Sequence, residues 1–260
     1  MRIVLLTDGD GAGLAFGLAA LLTQDDTLDV VVPVTRDAWT HGLKCCPDVD
    51  AFLALPRTDT STTFAVADEL AAVGFSPGWM RPSDADIARQ IVRTELLQAG
   101  YSLGDATAAM ATRASLPFGL LPVSDDRAEL HVVVEDPGGR RAVHVEEFLA
   151  DPLSHRPVDA TIVTQSWAVS SAVRDAVTAA DAIVLGPSSP VLAIDPLLAT
   201  PRLRDLIAAP VIEVERDATE PAGLDVLPAA VPPHQVPATR VHHDAATALA
   251  AVRDAVVVGR

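Results

Sequence analysis

Three carboxylates lie close together early in this 260-residue chain, in Arg36-Asp37 and Pro47-Asp48-Val49-Asp50. Loop oxygens of this kind suit Mg²⁺, which takes one or two carboxylates and completes its shell with phosphate and water. Acidic loop residues also cap helices, and residue type alone leaves both uses open. Upstream lies Thr7-Asp8-Gly9-Asp10-Gly11-Ala12-Gly13. Its glycines let a backbone approach a phosphate closely, and the helix expected after it presents free N–H groups. Asp8 and Asp10 would repel that phosphate without a cation between them. The same residues also make an ordinary tight turn with solvated aspartates. A third stretch, Ala182-Ile183-Val184-Leu185-Gly186-Pro187-Ser188-Ser189-Pro190, reads as a strand covered on both faces that stops at a stiff loop. Two hydroxyls are expected to face outward from it. Ligands of open parallel sheets bind beyond the carboxyl ends of the strands, where this loop falls. Pro122-Val123-Ser124-Asp125-Asp126 is a polar turn on residue type alone.

These residues need elements to hold them. A buried strand over 3–6, the glycine loop and an Ala/Leu-rich helix over 14–22 open like a nucleotide-binding βαβ unit. A second strand over 29–34 ends near Asp37, and a loop with a short helix carries Asp48 and Asp50. From about 57 to 116 the chain turns helical. Ser83 caps one helix, with Asp84 and Asp86 in its first turn and Gly100 as its stop, and Ser102 with Asp105 opens another. This stretch reads as an inserted helical cap over the sheet's edge. Apolar segments over 130–134 and 141–145 flank Asp136-Pro137-Gly138-Gly139 as a β-hairpin. Strands over 161–164, 183–185 and 211–214 alternate with helices over 168–179 and 201–208. That alternation predicts an α/β chain, a Rossmann-like, doubly wound, mainly parallel sheet with a helical insert. The whole chain, 1–260, reads as a single domain. Its last part, from about 216 to 260, is rich in Pro and Ala and is expected to be irregular, closed by one helix over 244–256.

The formal charge of −16 repels nucleic-acid phosphates and anionic lipid, so neither nucleic acid nor membrane is expected as a partner. No apolar run reaches transmembrane length, and the short apolar start is too brief for a signal peptide, which points to a cytoplasmic protein. Adjacent Cys45 and Cys46 suit neither an unstrained disulfide nor a structural zinc site. Trp39 and His41 could line a pocket, although packing or surface exposure is the preferred reading, and His242-His243 is read as the flank of the last helix. No Ser-His-Asp order, zinc spacing or phosphate-loop lysine occurs.

Together, ARQIVRTELLQAGYSL (88–103), LPVSDD (121–126), AIVLGPSSPVLAIDPLL (182–198) and WTHGLKCCPDVD (39–50) resemble the 2-phospho-L-lactate transferase (CofD) family of coenzyme F420 biosynthesis, in order and spacing. The resemblance implies transfer of a phospholactyl or phosphoenolpyruvyl group from a guanosine diphosphate-activated donor to the ribityl hydroxyl of the deazaflavin Fo, releasing GMP. It places Asp37 and Asp48 at metal-binding positions for Mg²⁺, with Asp50 close by. The attacking alcohol needs a base or a metal-lowered pKa, and a nearby carboxylate such as Asp50 is a candidate for the catalytic base. It assigns Thr7, Asp8, Gly9, Gly11, Ala12 and Gly13 to nucleotide binding. Ser124, Asp125, Gly186, Pro187, Ser188 and Ser189 fall to the acceptor or phosphate cleft. Small-molecule substrates and a homodimer are the expected partners. The chain departs from the family pattern on the donor side. Its glycine loop is short and lacks lysine, Arg36 replaces an acidic residue, and Glu215-Arg216-Asp217 replaces a Ser-Pro-Ile-Ile-Gly-Gly segment. Those departures raise a second possibility, a non-catalytic relative that binds a nucleotide or deazaflavin as a regulator or partner.

Overall fold

A computed structural model describes residues 1–54, 62–75, 77–216, 227–242 and 244–258. The first apolar run forms β1 (Arg2–Leu6), whose Ile3, Val4, Leu5 and Leu6 are all buried. The glycine loop tightens into a single 3₁₀ turn before α1 (Ala12–Leu21), and β2 (Thr27–Val32) follows. Residues 38–45 form a small antiparallel hairpin, β3 (Ala38–Thr40) and β4 (Leu43–Cys45), where the sequence suggests a loop. It turns through His41 and Gly42, both at positive φ (55° and 75°), the backbone that two-residue hairpin turns require. Pro47 then begins α2 (Pro47–Ala54), whose first turn contains both Asp48 and Asp50.

The described part of the insert holds α3 (Ala65–Ala72), α4 (Asp84–Gln98) and α5 (Leu103–Arg113). Ser83 and Asp86 close a reciprocal capping box on α4, and the Ser102 hydroxyl accepts from the Asp105 N–H to cap α5. The start of the insert, 57–61, lies outside the described residues. Next come β5 (Gly119–Pro122), β6 (Ala128–Asp136), β7 (Gly139–His144), α6 (Val145–Ala150) and β8 (Pro157–Thr164). The hairpin β6–β7 forms as expected. It pairs with β8 in a separate antiparallel sheet of order β7-β6-β8, so the strand expected over 161–164 does not join the parallel sheet. The chain ends through α7 (Ser171–Thr178), β9 (Ala182–Leu185), α8 (Asp195–Ala199), α9 (Leu203–Leu206), β10 (Val211–Val214), β11 (Thr239–Val241) and α10 (Ala245–Val258).

The main sheet has the order β11-β10-β9-β1-β2-β5, and every neighbouring pair is parallel. This is the doubly wound Rossmann arrangement, in which strand order reverses between β1 and β9. In the tail the expected closing helix forms as α10, and β11 is a further short strand. There β11 adds an edge strand to β10, while α10 packs on α1 and buries Ala248, Leu249 and Val252. Close helix contact at Gly17 explains that docking, since a Cβ there would lie 2.9 Å from the Ala245 Cβ. No helix among the described residues is long and apolar enough to cross a membrane.

Candidate functional site

At the point where strand order reverses, the loops after β1 and β9 are stitched together. The Gly186 N–H donates to the Leu6 carbonyl at 2.9 Å, and the Thr7 and Ser188 hydroxyl oxygens lie 2.7 Å apart. Ser188 Oγ accepts from the Asp8 N–H at 3.0 Å and donates to Asp8 Oδ1 at 2.7 Å. Ser189 Oγ caps the turn that follows by accepting from the Leu192 N–H. Both hydroxyls therefore point inward, not outward, and each residue is only 5% exposed. The loop folds back on its neighbour because its polar groups find partners there.

The glycines divide by function. A Cβ on Gly11 or Gly186 would run into the Thr7 side chain, and one on Gly9 would come within 2.8 Å of the Ala51 Cβ in α2. Their close approach is thus to the protein itself. At Gly13 a Cβ would meet nothing within 4 Å, so the open space of this loop lies over the first turn of α1. Asp8 caps the 3₁₀ turn by accepting from the Asp10 N–H. Burial raises the Asp8 carboxyl above the ordinary range, opposed by the Ser188 hydrogen bond and helped by Asp10. Ala12 is buried at the start of α1.

Asp37 and Asp48 come together with Asp8 in one electrostatic cluster. Asp48 Oδ1 accepts from the Gly9 N–H at 3.2 Å and from Arg36 at 3.1 Å. Its Oδ2 is buried without a hydrogen-bond partner. Burial pushes this carboxyl up to about 7; Arg36 opposes the shift, while Asp8 and Asp37 add to it. Asp37 Oδ2 meets Lys44 Nζ at 3.0 Å and accepts from the Cys46 thiol at 3.1 Å. Arg36 also donates to Glu146 at 2.6 Å, which ties α6 to the cluster. Among the described residues no group of three His, Cys, Asp or Glu side chains is arranged to hold a metal. An ion here would rely on one or two carboxylates, a donor set that suits Mg²⁺ completed by phosphate and water.

Asp50 faces elsewhere. Arg93, fully buried in α4, donates to both of its carboxylate oxygens, and Arg89 approaches from the same helix. Burial raises the Asp50 carboxyl and Arg93 opposes the shift. With both oxygens occupied, Asp50 is poorly placed to take a proton from a substrate. It lines a cavity of about 480 Å³ together with Cys46, Trp79, Arg81 and Glu146. Ser124 and Asp125 lie beyond β5, two strands from β1. Ser124 Oγ accepts from the Asp126 N–H, and Asp125 Oδ1 accepts from the Gly104 N–H at 2.8 Å, closing the start of α5. The structure does not join them to the Gly186–Pro187–Ser188–Ser189 loop through these bonds. The sequence does not single out Lys44, which meets Asp37 across the unexpected β3–β4 hairpin, or Arg93 and Glu146, whose partners are distant in the chain. Trp39 and His41 do line a cavity, of about 240 Å³, together with Trp79 and His144.

Comparison with known proteins decides the family. The model of the family "2-phospho-L-lactate transferase CofD" matches residues 3–258. The chain belongs to the CofD family. Relatives of this CofD-family chain include a phosphoenolpyruvate transferase of Mycobacterium ulcerans, 37% identical over an alignment of 216 positions that covers 76% of this chain and 66% of the relative. A phosphoenolpyruvate transferase of Streptomyces griseus is 37% identical, with coverage of 80% and 69%. The chain thus spans about two thirds of the length of the curated relatives it matches. A solved structure of a Bacillus halodurans protein of the UPF0052 family superposes with a TM-score of 0.57 at 18% identity, covering 82% of this chain and 69% of that one, a likeness of fold.

Proposed function

We propose that this chain transfers a phospholactyl or phosphoenolpyruvyl group from a guanosine diphosphate-activated donor to the ribityl hydroxyl of the deazaflavin Fo, releasing GMP. The observation that carries this is the reversal point of a CofD-family sheet, where the glycine loop meets the Gly186–Ser189 loop beside a buried carboxylate cluster. In our assignment the donor phosphates lie over Gly13 and the first turn of α1, where N–H groups carry partial positive charge. Asp37 and Asp48 hold Mg²⁺, and the partnerless Oδ2 of Asp48 is the oxygen best fitted to it. Bound there, Mg²⁺ supplies charge neutralisation between these carboxylates and the donor diphosphate. Arg36 and Lys44 hold the cluster in register and carry part of the neutralising charge.

The acceptor takes the cavity beside Trp79, where Asp50, fixed by Arg93, shapes the wall as a positioning residue. Phosphoryl transfer through a loose transition state depends on alignment and charge more than on a dedicated base. The reaction therefore does not need Asp50 as a proton acceptor.

One observation favours a second function. Arg36 and Lys44 already neutralise Asp48 and Asp37, as a chain that binds a nucleotide or deazaflavin without turnover would allow. Incubation of the full chain with Fo, Mg²⁺ and each guanylylated donor, followed by mass spectrometry, separates the two. Phosphodiester product and GMP are expected, with a loss of at least about a hundredfold in Asp48→Asn, the size of effect seen when one stabilising group is removed. Ligand binding without product supports the second function, and absence of any binding overturns both.

A further inference from the structure

Beyond β9 and β10 lies a cavity of about 200 Å³ that the assignments above leave unused, lined by Gly186, Ser188, Glu213, Glu215, Arg216 and His234. Its organising feature is a carboxylate–imidazole pair. Asp195, at the start of α8 and only 3% exposed, accepts from both the His234 backbone N–H and His234 Nδ1 through the same oxygen, each at 2.7 Å. One buried oxygen thus fixes the segment and the ring plane together. A carboxylate on Nδ1 sets the tautomer and leaves Nε2 to act outward. Among the described residues Nε2 has no hydrogen-bond partner, it is not among the buried polar atoms left without one, and the residue lines the cavity.

The surroundings say what it would meet. Ser188 on one wall is bonded to Asp8 of the glycine loop, and Arg216 on another lies 4.0 Å from Asp10 of the same loop. The cavity therefore adjoins the phosphate end of the nucleotide position. Glu213 is paired with Arg240 at 3.0 Å, which offsets part of the acidic charge on this side of the cavity, and Glu215 faces His242 at 4.0 Å. The space is below the usual size of a pocket for a whole drug-sized ligand and suits one end of a larger molecule.

The geometry points to His234, positioned by Asp195, as a residue that grips the phosphate of the nucleoside monophosphate leaving group. This rests on the donor assignment above. Nε2 donates to a phosphate oxygen when the ring is protonated, a charge-assisted bond that holds the leaving group as negative charge builds on it.

The test is calorimetric titration of the full chain and of His234→Asn with GMP and with guanosine. Asparagine keeps an N–H where Nδ1 stood, and so keeps the bond to Asp195, but has nothing at the Nε2 position. GMP affinity is expected to fall about tenfold in His234→Asn, the cost of one hydrogen bond to a charged group, with guanosine affinity and Tm unchanged. His234→Gln, which restores a donor near Nε2, should recover part of the loss. Equal losses for GMP and guanosine would show a merely structural role and overturn the assignment. GMP binding that His234→Asn leaves intact overturns it alone. No GMP binding by the unmodified chain overturns the donor assignment and this one together.

Discussion

Asp48 uses its two oxygens unequally. Oδ1 accepts from Gly9 and Arg36, while Oδ2 is shut in without a partner. Burial, with Asp8 and Asp37 close enough to add to it, lifts this carboxyl to about 7 from the ordinary 3.8. A carboxyl raised in the fold contributes stability below its unfolded pKa and loses that contribution as pH rises through the folded value. The metal-free chain is therefore expected to lose stability between about pH 4 and pH 7, with Tm falling about 2–4 °C for each kcal/mol lost. A cation on Oδ2 offsets the charge, so Mg²⁺ should raise Tm clearly at the higher pH and little at the lower. Differential scanning calorimetry of the chain and of Asp48→Asn checks this. An equal Mg²⁺ effect at both pH values, or one that survives in Asp48→Asn, would rule out Asp48 as the ligand.

At the scale of elements, the insert is locked to the site by one buried arginine. Arg93 of α4 reaches Asp50 in α2 and the Lys44 carbonyl in β4. Thr94, next in the helix, accepts from the Lys44 N–H at 2.9 Å. This double attachment holds the hairpin β3–β4 under α4 and so places Lys44 on Asp37. Removing one partner of a buried pair leaves a charge uncompensated, which costs about 3–5 kcal/mol. Arg93→Ala should lose that much in urea unfolding. The double variant Arg93→Met with Asp50→Leu should regain most of it, because two apolar groups leave no stranded charge. Strictly additive losses would mean that the two side chains are not coupled. The capping box at Ser83 and the cap at Ser102 are local to their helices, which is why they are legible in the sequence. The Arg93–Asp50 bond spans 43 residues, and no local pattern announces it.

At the scale of the molecule, a net charge of −16 opposes the approach of any anionic nucleotide. Surface repulsion acts over roughly 10 Å at 0.1 M salt and shrinks as salt is added. Association of GMP in the absence of divalent metal should therefore speed up, about threefold, between roughly 20 and 200 mM KCl. Stopped-flow measurement gives the rate. A rate that falls with salt would mean that local cations such as Arg36 and Arg216 dominate the field at the cleft. The same scale explains the tail. The closing helix, α10, is legible in the sequence, whereas β11 is not, because a three-residue strand becomes stable only when β10 is there to pair with it.

The sequence alone determined the α/β class, the parallel run of buried strands, the helical insert and the family. Each depends on short-range periodicity, on caps, or on motifs that lie contiguous in the chain. It also named the two loops that meet at the sheet's reversal point. Only the tertiary structure decided what those loops do to each other. Gly11 and Gly186 make room for Thr7, Ser188 turns inward to Asp8, and Asp50 is taken by Arg93. Likewise Asp195 and His234 are 39 residues apart and meet only because α8 and the returning tail cross the end of β9 and β10. The reason is the same in each case. Burial and pairing belong to three-dimensional neighbours, and a carboxylate's role depends on which cation reaches it first.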